Sequence, residues 1–372
     1  MYSRIFHNVG NALFAVERIG GKAFVYDCGG QDVDILESAI INTFNKGDEI
    51  EAVFISHYDS DHINGLYFLL NYCKVKRLIL PMMPDAIKMI LLITQNYDVD
   101  LERFVISPEE YVLDISQETK VIYVYDIEED IFYNAHPTMS FEQLSQSDRN
   151  IPSGMRLTSN MIPNWVFIPM CITLLTKRQS DVFIQKLYNL LNLPSPTGRA
   201  NIKELWENYN LCIGKTGKIT SGGGIRNKIK KAIKEALPGL TSYKINATSQ
   251  TLYSGFDNCV PPYRAGCLYL GDFDACGKWT HLVNVYGIYR NNIRIIQVPH
   301  HGSKKYFNDN LIDLGTIAVI SSALDGDIAI GDTIDRIVKR SGIPIATGSR
   351  GSIYIECHQW ASYIYPDGVT IL

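Results

Sequence analysis

The stretch SHYDSDHINGL, residues 56–66, constrains this chain more than any other. It sets His57, Asp59, Asp61 and His62 within six residues, directly after the apolar run Ala52-Val53-Phe54-Ile55. The pattern predicts a β-strand that ends in a loop whose side chains can close round one point. Delivering two carboxylates and two imidazoles off a buried strand is unfavourable unless an opposite charge meets them. A divalent cation is such a partner. Mixed imidazole and carboxylate donors favour zinc, manganese or iron over calcium, which takes oxygen alone. The plainer reading is a solvated loop in which Asp61 caps a helix starting near Ile63.

Two later stretches repeat the arrangement of an apolar strand ending in ligand-type residues. CLYLGDFDA places Asp272 after Cys267–Gly271, and IIQVPHHGS places His300 and His301 after Ile295–Val298. Gly271 and Gly302 let the backbone come close to a ligand. Singly, each has a bland account, as a turn residue or a surface histidine pair. Three such strand ends in one chain point to a shared metal centre.

The rest of the pattern alternates strands and helices. Residues 12–18 and 22–27 read as a hairpin about Gly20-Gly21, closed by the turn Asp27-Cys28-Gly29-Gly30. A helix is expected over 32–45, a strand over 52–56, a helix over 63–73, a strand over 75–80 and a helix over 86–94. Residues 97–150 are acidic and read as irregular, with a clear strand only at 120–125. Strands follow at 166–175, 251–254, 266–271, 293–298 and 317–321, then a helix at 332–341 and strands at 343–346 and 352–356. Two similar halves of this kind predict an α/β sandwich.

A hydrophobic content of 46% with 20% charged residues suits a globular core, and excludes a disordered chain. One large α/β domain spanning 1–372 is expected, carrying insertions. No apolar run reaches membrane-spanning length, and the amino terminus lacks the basic-then-apolar order of a signal peptide, so no membrane association is expected. The eight cysteines form no CxxC pair, which argues against a disulfide framework or a structural zinc site and for reduced thiols in the cytoplasm. Residues 176–238 hold 12 Lys and Arg against four acids, a local charge of +8 that leaves −12 for the remainder. We read 176–240 as a basic insertion whose densest part, GKTGKITSGGGIRNKIKKAIKEAL, is a glycine-rich turn followed by a basic helix. Such clustering suits a phosphate backbone, or else a solvated helix face. GKTGK lacks the upstream glycine of a phosphate-cradling P-loop.

These residues carry a family resemblance. VGNALFAVERIGGKAFVYDCGG, SHYDSDHINGL, CLYLGD, VPHHGS and ATGSRGSIYI resemble the successive motifs of metallo-β-lactamase-fold hydrolases, and within them those of the ComEC-type competence-protein branch. The resemblance implies an α/β fold of four αββα layers with the basic helical segment inserted. It implies one or two divalent ions, zinc or manganese: His57 and Asp59 at a first site, Asp61, His62 and His301 at a second, and Asp272 bridging. His300 is then a catalytic support or substrate contact. The family's third histidine has no counterpart in KINATSQTLYSG, where Asn246 or Ser249 stands, which weakens the first site. His136 is the sole histidine between His62 and Asp272, in a distant loop-like context.

The implied chemistry is hydrolysis by a metal-activated water oriented by Asp61. Ser303, Lys304, Lys305 and Asn246 would contact substrate. A phosphodiesterase or nuclease acting on a nucleic acid or nucleotide is the first expectation. Hydrolysis of a small ester, lactone or thioester is the second, and a non-catalytic metal-binding regulatory module the third. A homodimer or a partner protein is left open.

Overall fold

The computed structural model describes residues 2–126, 137–144, 150–194, 201–213, 222–237, 245, 248–257, 265–323, 328–348, 351–358 and 361–366. They fall into two compact units, one of Met1–Met82, Val112–Ile172 and Asn246–Leu372, the other of Met83–Tyr111 and Thr173–Ile245.

The first unit is built on two sheets. One runs in the order β18 (Ala361–Pro366), β17 (Ile353–His358), β1 (Tyr2–Phe6), β2 (Phe14–Ile19), β3 (Lys22–Cys28), β4 (Glu49–Phe54), β6 (Arg77–Pro81), β7 (Lys120–Tyr125), β9 (Asn150–Pro152), with β5 (Lys74–Val75) beside β4. The other runs β16 (Ile343–Ala346), β15 (Ile317–Ile320), β14 (Ile293–Gln297), β13 (Gly266–Tyr269), β12 (Thr251–Phe256), β11 (Ile162–Met170), β10 (Arg156–Ser159), β8 (Thr138–Ser140).

Residue alternation explains the layering. On β3 and β4, Phe24, Tyr26, Ala52 and Phe54 enter the same core as Phe167 of β11, Tyr269 of β13 and Ile295 of β14. That core lies between the sheets. The alternate residues Val166, Ile168, Leu268 and Ile296 join a second core with Leu282, Val285 and Tyr286 of a helix at Trp279–Tyr286. Strands buried on both faces read as continuous apolar runs, the mark of sheets covered by helices. On the first sheet Val25, Val53 and Leu78 are likewise buried, as are Leu36 and Ile40 of α1 (Val33–Thr43) and Leu66 and Leu69 of α3 (Leu66–Tyr72). The expected layered α/β sandwich is the observed architecture.

The helix expected over 63–73 is two pieces, α2 (Ser60–Ile63) and α3. The stretch 97–150, read as irregular, contains α5 (Val99–Ile106) and α6 (Pro108–Ile115). The Asp98 side chain caps α5 by accepting the Leu101 N–H, and Leu101, Phe104 and Val105 bury one face, a pattern obscured by surrounding acids. β1, the Trp279–Tyr286 helix and the closing strand β18 also escaped the sequence pattern.

The second unit is helical: α4 (Asp85–Thr94), α5, α7 (Lys177–Leu190), α8 (Ile202–Ile213) and α9 (Gly222–Ala236). Thr176 and Gln179 form a reciprocal capping box that starts α7. Phe183 and Leu187 of α7, Leu205 and Tyr209 of α8 and Ile229 of α9 are buried. The basic helix expected after the glycines is α9; GKTGK lies outside the described residues. Among the described residues no helix is long and apolar enough to cross a membrane.

Candidate metal centre

Four strand ends supply the site. β4 runs on through the buried residues Ile55 and Ser56 to His57, Tyr58 and Asp59, and the chain then turns into α2, which carries Asp61 and His62. Asp59, not Asp61, occupies the N-cap position of this helix, and it makes no side-chain capping bond. The capping account of this loop therefore fails. β13 runs on through Leu270 to Gly271 and Asp272, and β14 runs on through Val298 and Pro299 to His300 and His301. β3 ends at Asp27 and Cys28. Gly271 has a φ of +52° and its α-carbon faces Ser56 so closely that an added Cβ would lie 2.5 Å from the Ser56 Cβ. This close approach ties the end of β13 to the end of β4.

Two triads have all their donor atoms within 4.8 Å of one another: His57, His62 and Asp272, and Asp61, His62 and His301. The Asp272 carboxylate stands between them. Its Oδ1 lies 3.5 Å from His62 Nε2 and 3.7 Å from His301 Nε2, whereas its Oδ2 lies 3.8 Å from His57 Nε2 and 2.9 Å from His300 Nδ1. Asp61 Oδ2 sits 3.2 Å from His301 Nε2 and 3.6 Å from His62 Nε2. Asp59 Oδ2 is 3.9 Å from His57 Nε2, but Asp59 belongs to neither triad.

Each of the three imidazoles is tethered through Nδ1, so that Nε2 points inward. His301 Nδ1 donates to the Ser321 carbonyl at 2.9 Å, which fixes its tautomer because a carbonyl only accepts. His62 Nδ1 donates to Asp27 Oδ2 at 2.8 Å. His57 Nδ1 lies 2.9 Å from Ser56 Oγ and 3.2 Å from Ser249 Oγ. Ser56 in turn donates its hydroxyl to Asp27 Oδ2 and its backbone N–H to Asp27 Oδ1. The Asp272 backbone N–H reaches Ser249 Oγ, and Gln297 Oε1 accepts from the Leu270 and Gly271 amides, holding the turn. Imidazoles oriented by carboxylate, hydroxyl or carbonyl partners are the usual support of metal ligands.

The inward atoms pass a fit test for a cation. His57 Nε2, His62 Nε2, His301 Nε2 and Asp272 Oδ1 are buried and have no hydrogen-bond partner. Four orphaned lone pairs converging at one place are costly unless a cation or protons satisfy them. Burial opposes ionisation of Asp61, yet the His62 and His301 imidazoles hold its carboxyl well below the usual range. Burial likewise opposes the Asp272 carboxylate, but His300 and His62 keep it ionised. Burial disfavours charge on His62, but Asp61 and Asp27 raise it well above an ordinary histidine. His301 is raised against its burial by Asp61 and Asp272. His57, buried and repelled by His62, is lowered to about 4. The carboxylates thus stay anionic, and a divalent ion entering here competes with protons on His62 and His301.

Of the expected substrate contacts, Ser303 spends its backbone in the turn, donating to the His300 carbonyl and accepting from Tyr306 and Phe307. Lys304 Nζ pairs with Asp332 Oδ2 at 2.7 Å, and Lys305 Nζ stands 5.3 Å from the centre of the Tyr306 ring. The His300 ring packs on Tyr306 at 4.8 Å. Asn246 and His136 lie outside the described residues. Ser249, one of the two residues expected where the family's third histidine would stand, has its hydroxyl 3.2 Å from His57 Nδ1.

Sequence reasoning assigned no role to Asp27, Ser56 or Gln297. Asp27 had a usable signal, because Asp27-Cys28-Gly29 follows an apolar strand just as the other ligands do. Gly29 is equally constrained: a Cβ there would lie 1.9 Å from the Asp61 carbonyl oxygen.

Residues 8–92 match the family model of the metallo-beta-lactamase superfamily. The matched stretch contains Asp27, His57, Asp59, Asp61 and His62; Asp272 and His301 lie beyond it. No curated protein matches the chain.

Proposed function

We propose that this chain is a metal-dependent hydrolase that cleaves phosphodiesters. The observation that carries the reading is the Asp272 carboxylate, which turns one oxygen toward His62 and His301 and the other toward His57. Such an arrangement suits one or two divalent ions, zinc or manganese, with His57 and Asp59 on one side, Asp61, His62 and His301 on the other, and Asp272 between. When bound, such ions lower the pKa of a coordinated water from ~15.7 to ~7 and polarise the phosphoryl oxygen.

The protein's own groups do the rest. Asp61 is the most open of the acids, with 37% of its side chain exposed against 5% for Asp272. It therefore meets solvent at the mouth and orients the attacking water. Asp27 holds His62, and Ser321 holds His301, so both imidazoles keep Nε2 inward throughout. His300 stands beside Asp272 with 23% of its side chain exposed, placed to contact a substrate oxygen. Ser303 and Lys305 follow it at the mouth. The basic 176–240 segment supports a nucleic acid or nucleotide as substrate, and the absence of paired CxxC motifs suits action among reduced cytoplasmic thiols.

One observation favours a second reading, hydrolysis of a small ester, lactone or thioester. The Lys304–Asp332 pair removes a free cation from the region just past the final histidine. A single experiment separates the readings. Purified protein is assayed for zinc and manganese content, then offered single- and double-stranded DNA, RNA, cyclic dinucleotides and simple esters with each metal. Turnover of a phosphodiester, lost in Asp61→Asn, supports the proposal. Turnover of esters alone, or of nothing by metal-loaded protein, refutes it.

A further inference from the structure

We propose that the exposed lysine face of α9 is a docking surface for the phosphate backbone of a nucleic acid, working without the metal centre. The inference rests on the phosphodiesterase reading only in naming a polymer as that enzyme's substrate.

Helix α9, GGGIRNKIKKAIKEA, has two unlike sides. Ile229 and Ala232 are buried, as is Leu237 just past its end, and the helix packs on α7 and α8. Its apolar side is therefore already used within the second unit. A basic helix that lies on a membrane needs that side free to sink into the lipid boundary, so a lipid surface does not fit.

The other side carries Lys228, Lys230, Lys231 and Lys234, all exposed. Lys231 has one carboxylate near it, Glu235 at 3.7 Å in an exposed i,i+4 pair, which is a weak interaction. Among the described residues no carboxylate lies in ion-pair range of Lys228, Lys230 or Lys234. Lys228, Lys231 and Lys234 recur every three residues, so they follow one stripe at axial steps of ~4.5 Å, given a rise of about 1.5 Å per residue. Like charges at i,i+3 and i,i+4 weaken a helix, and nothing within α9 offsets three of these four. An external polyanion does so. Flexible ammonium groups are point charges that suit phosphates rather than base edges, and predict binding largely indifferent to sequence.

The test is fluorescence anisotropy of the full chain with labelled single-stranded DNA, duplex DNA and RNA, from 50 to 300 mM salt. EDTA is present throughout, so that neither catalysis nor metal contributes. Four phosphate contacts predict that log affinity falls against log salt with a slope of about −3. The variant K228Q/K230Q/K231Q/K234Q should bind at least tenfold more weakly at 50 mM salt with a slope near zero. Unchanged melting temperature and metal content show that it is folded. Each single Lys→Gln substitution should reduce the slope by about one unit or slightly less, which keeps the proposal testable should the fourfold variant misfold.

Absence of nucleic-acid binding at 50 mM salt overturns the proposal. So does an unchanged slope in the variants, or preferential binding to phosphatidylserine vesicles. Protein that binds in EDTA yet cleaves no phosphodiester when loaded with metal would refute the hydrolase reading and leave this one standing.

Discussion

Replacing Asp27 with Asn tests whether the site is set by its supports or by its ligands alone. The Asp27 carboxylate is fully buried and accepts three hydrogen bonds: from Ser56 N–H at 2.6 Å, Ser56 Oγ at 2.7 Å and His62 Nδ1 at 2.8 Å. An amide of the same shape has one accepting oxygen and two N–H donors. If that oxygen keeps the Ser56 amide, the new NH₂ group faces the Ser56 hydroxyl and His62 Nδ1. The hydroxyl can rotate. His62 then has to accept at Nδ1 and carry its proton on Nε2, the atom aimed at Asp61 and Asp272. The substitution thus reverses the tautomer on which metal binding depends. Loss of a hydrogen bond to a charged group costs about 1.5–3 kcal/mol. At about 1.4 kcal/mol per tenfold this is roughly 10- to 100-fold in affinity. Loss of a ligand's supporting partner weakens metal binding by a similar 10–100-fold. The assay is competition against a chromophoric chelator for zinc and manganese, with circular dichroism as the check on folding. A folded Asp27→Asn protein that binds either metal within twofold of the parent would refute the argument.

Other expectations follow from single contacts. Gly29→Ala drives a Cβ into the Asp61 carbonyl, so the Asp61–His62 loop must move and metal affinity should fall by more than tenfold; an unaltered affinity would show that the loop adapts freely. Glu17 accepts from Arg4, Ser254 and Tyr269 between the sheets, and Arg4 is itself buried. Glu17→Gln leaves that guanidinium without its counter-charge and should destabilise the fold by about 3–5 kcal/mol, read from the denaturant midpoint. His7 is lowered from 6.5 to about 4 by burial against Phe14. The unfolded chain takes up its proton before the folded chain does, so stability falls as pH drops from about 6.5 to about 4, by roughly 3 kcal/mol at 1.36 kcal/mol per unit. His7→Phe keeps the stacking and should flatten that part of the stability-against-pH curve relative to the parent; identical curves would count against it.

The sequence revealed those parts of the site in which chemistry and local pattern coincide. His57, Asp61, His62, Asp272 and His301 each follow an apolar strand within a few residues, so strand periodicity and ligand type pointed the same way. Asp27 carried the same signature but read as the start of the turn Asp27-Cys28-Gly29-Gly30 after the hairpin's second strand, where Asp and Gly have a sufficient local explanation. Ser56 and Gln297 could not be found at all, because a serine and a glutamine near strand ends are common and only tertiary approach gives them work. Among the elements, β3, β4, β13, β14 and β15 were legible as apolar runs. α5 was not, since five acids in the short spans 98–102 and 109–110 outweighed the spacing of Leu101, Phe104 and Val105. Asn246 and Ser249 show the limit of motif reasoning: a slot can be named without knowing which of its residues meets the site, and Ser249 meets it through His57.

Backbone conformation gives an independent reason to regard the centre as preformed. Among the described residues, the non-glycine positions with positive φ include Asp27 at 56°, His300 at 50° and His301 at 52°. Glycine or asparagine would satisfy such positions with less strain, and each unfavourable conformation costs of the order of 1–3 kcal/mol. Three of them fall on residues whose side chains face the same carboxylate and imidazole cluster. That coincidence is hard to assign to turn geometry, since a glycine at 300 or 301 would make the turn more easily. The strain is instead tolerated because the flanking strands fix it: the His300 N–H is held by the Gly271 carbonyl, His301 Nδ1 by the Ser321 carbonyl, and the Asp27 carboxylate by Ser56. A rigid sheet scaffold thereby imposes on two histidines and an aspartate the directions their chemistry requires, before any cation arrives.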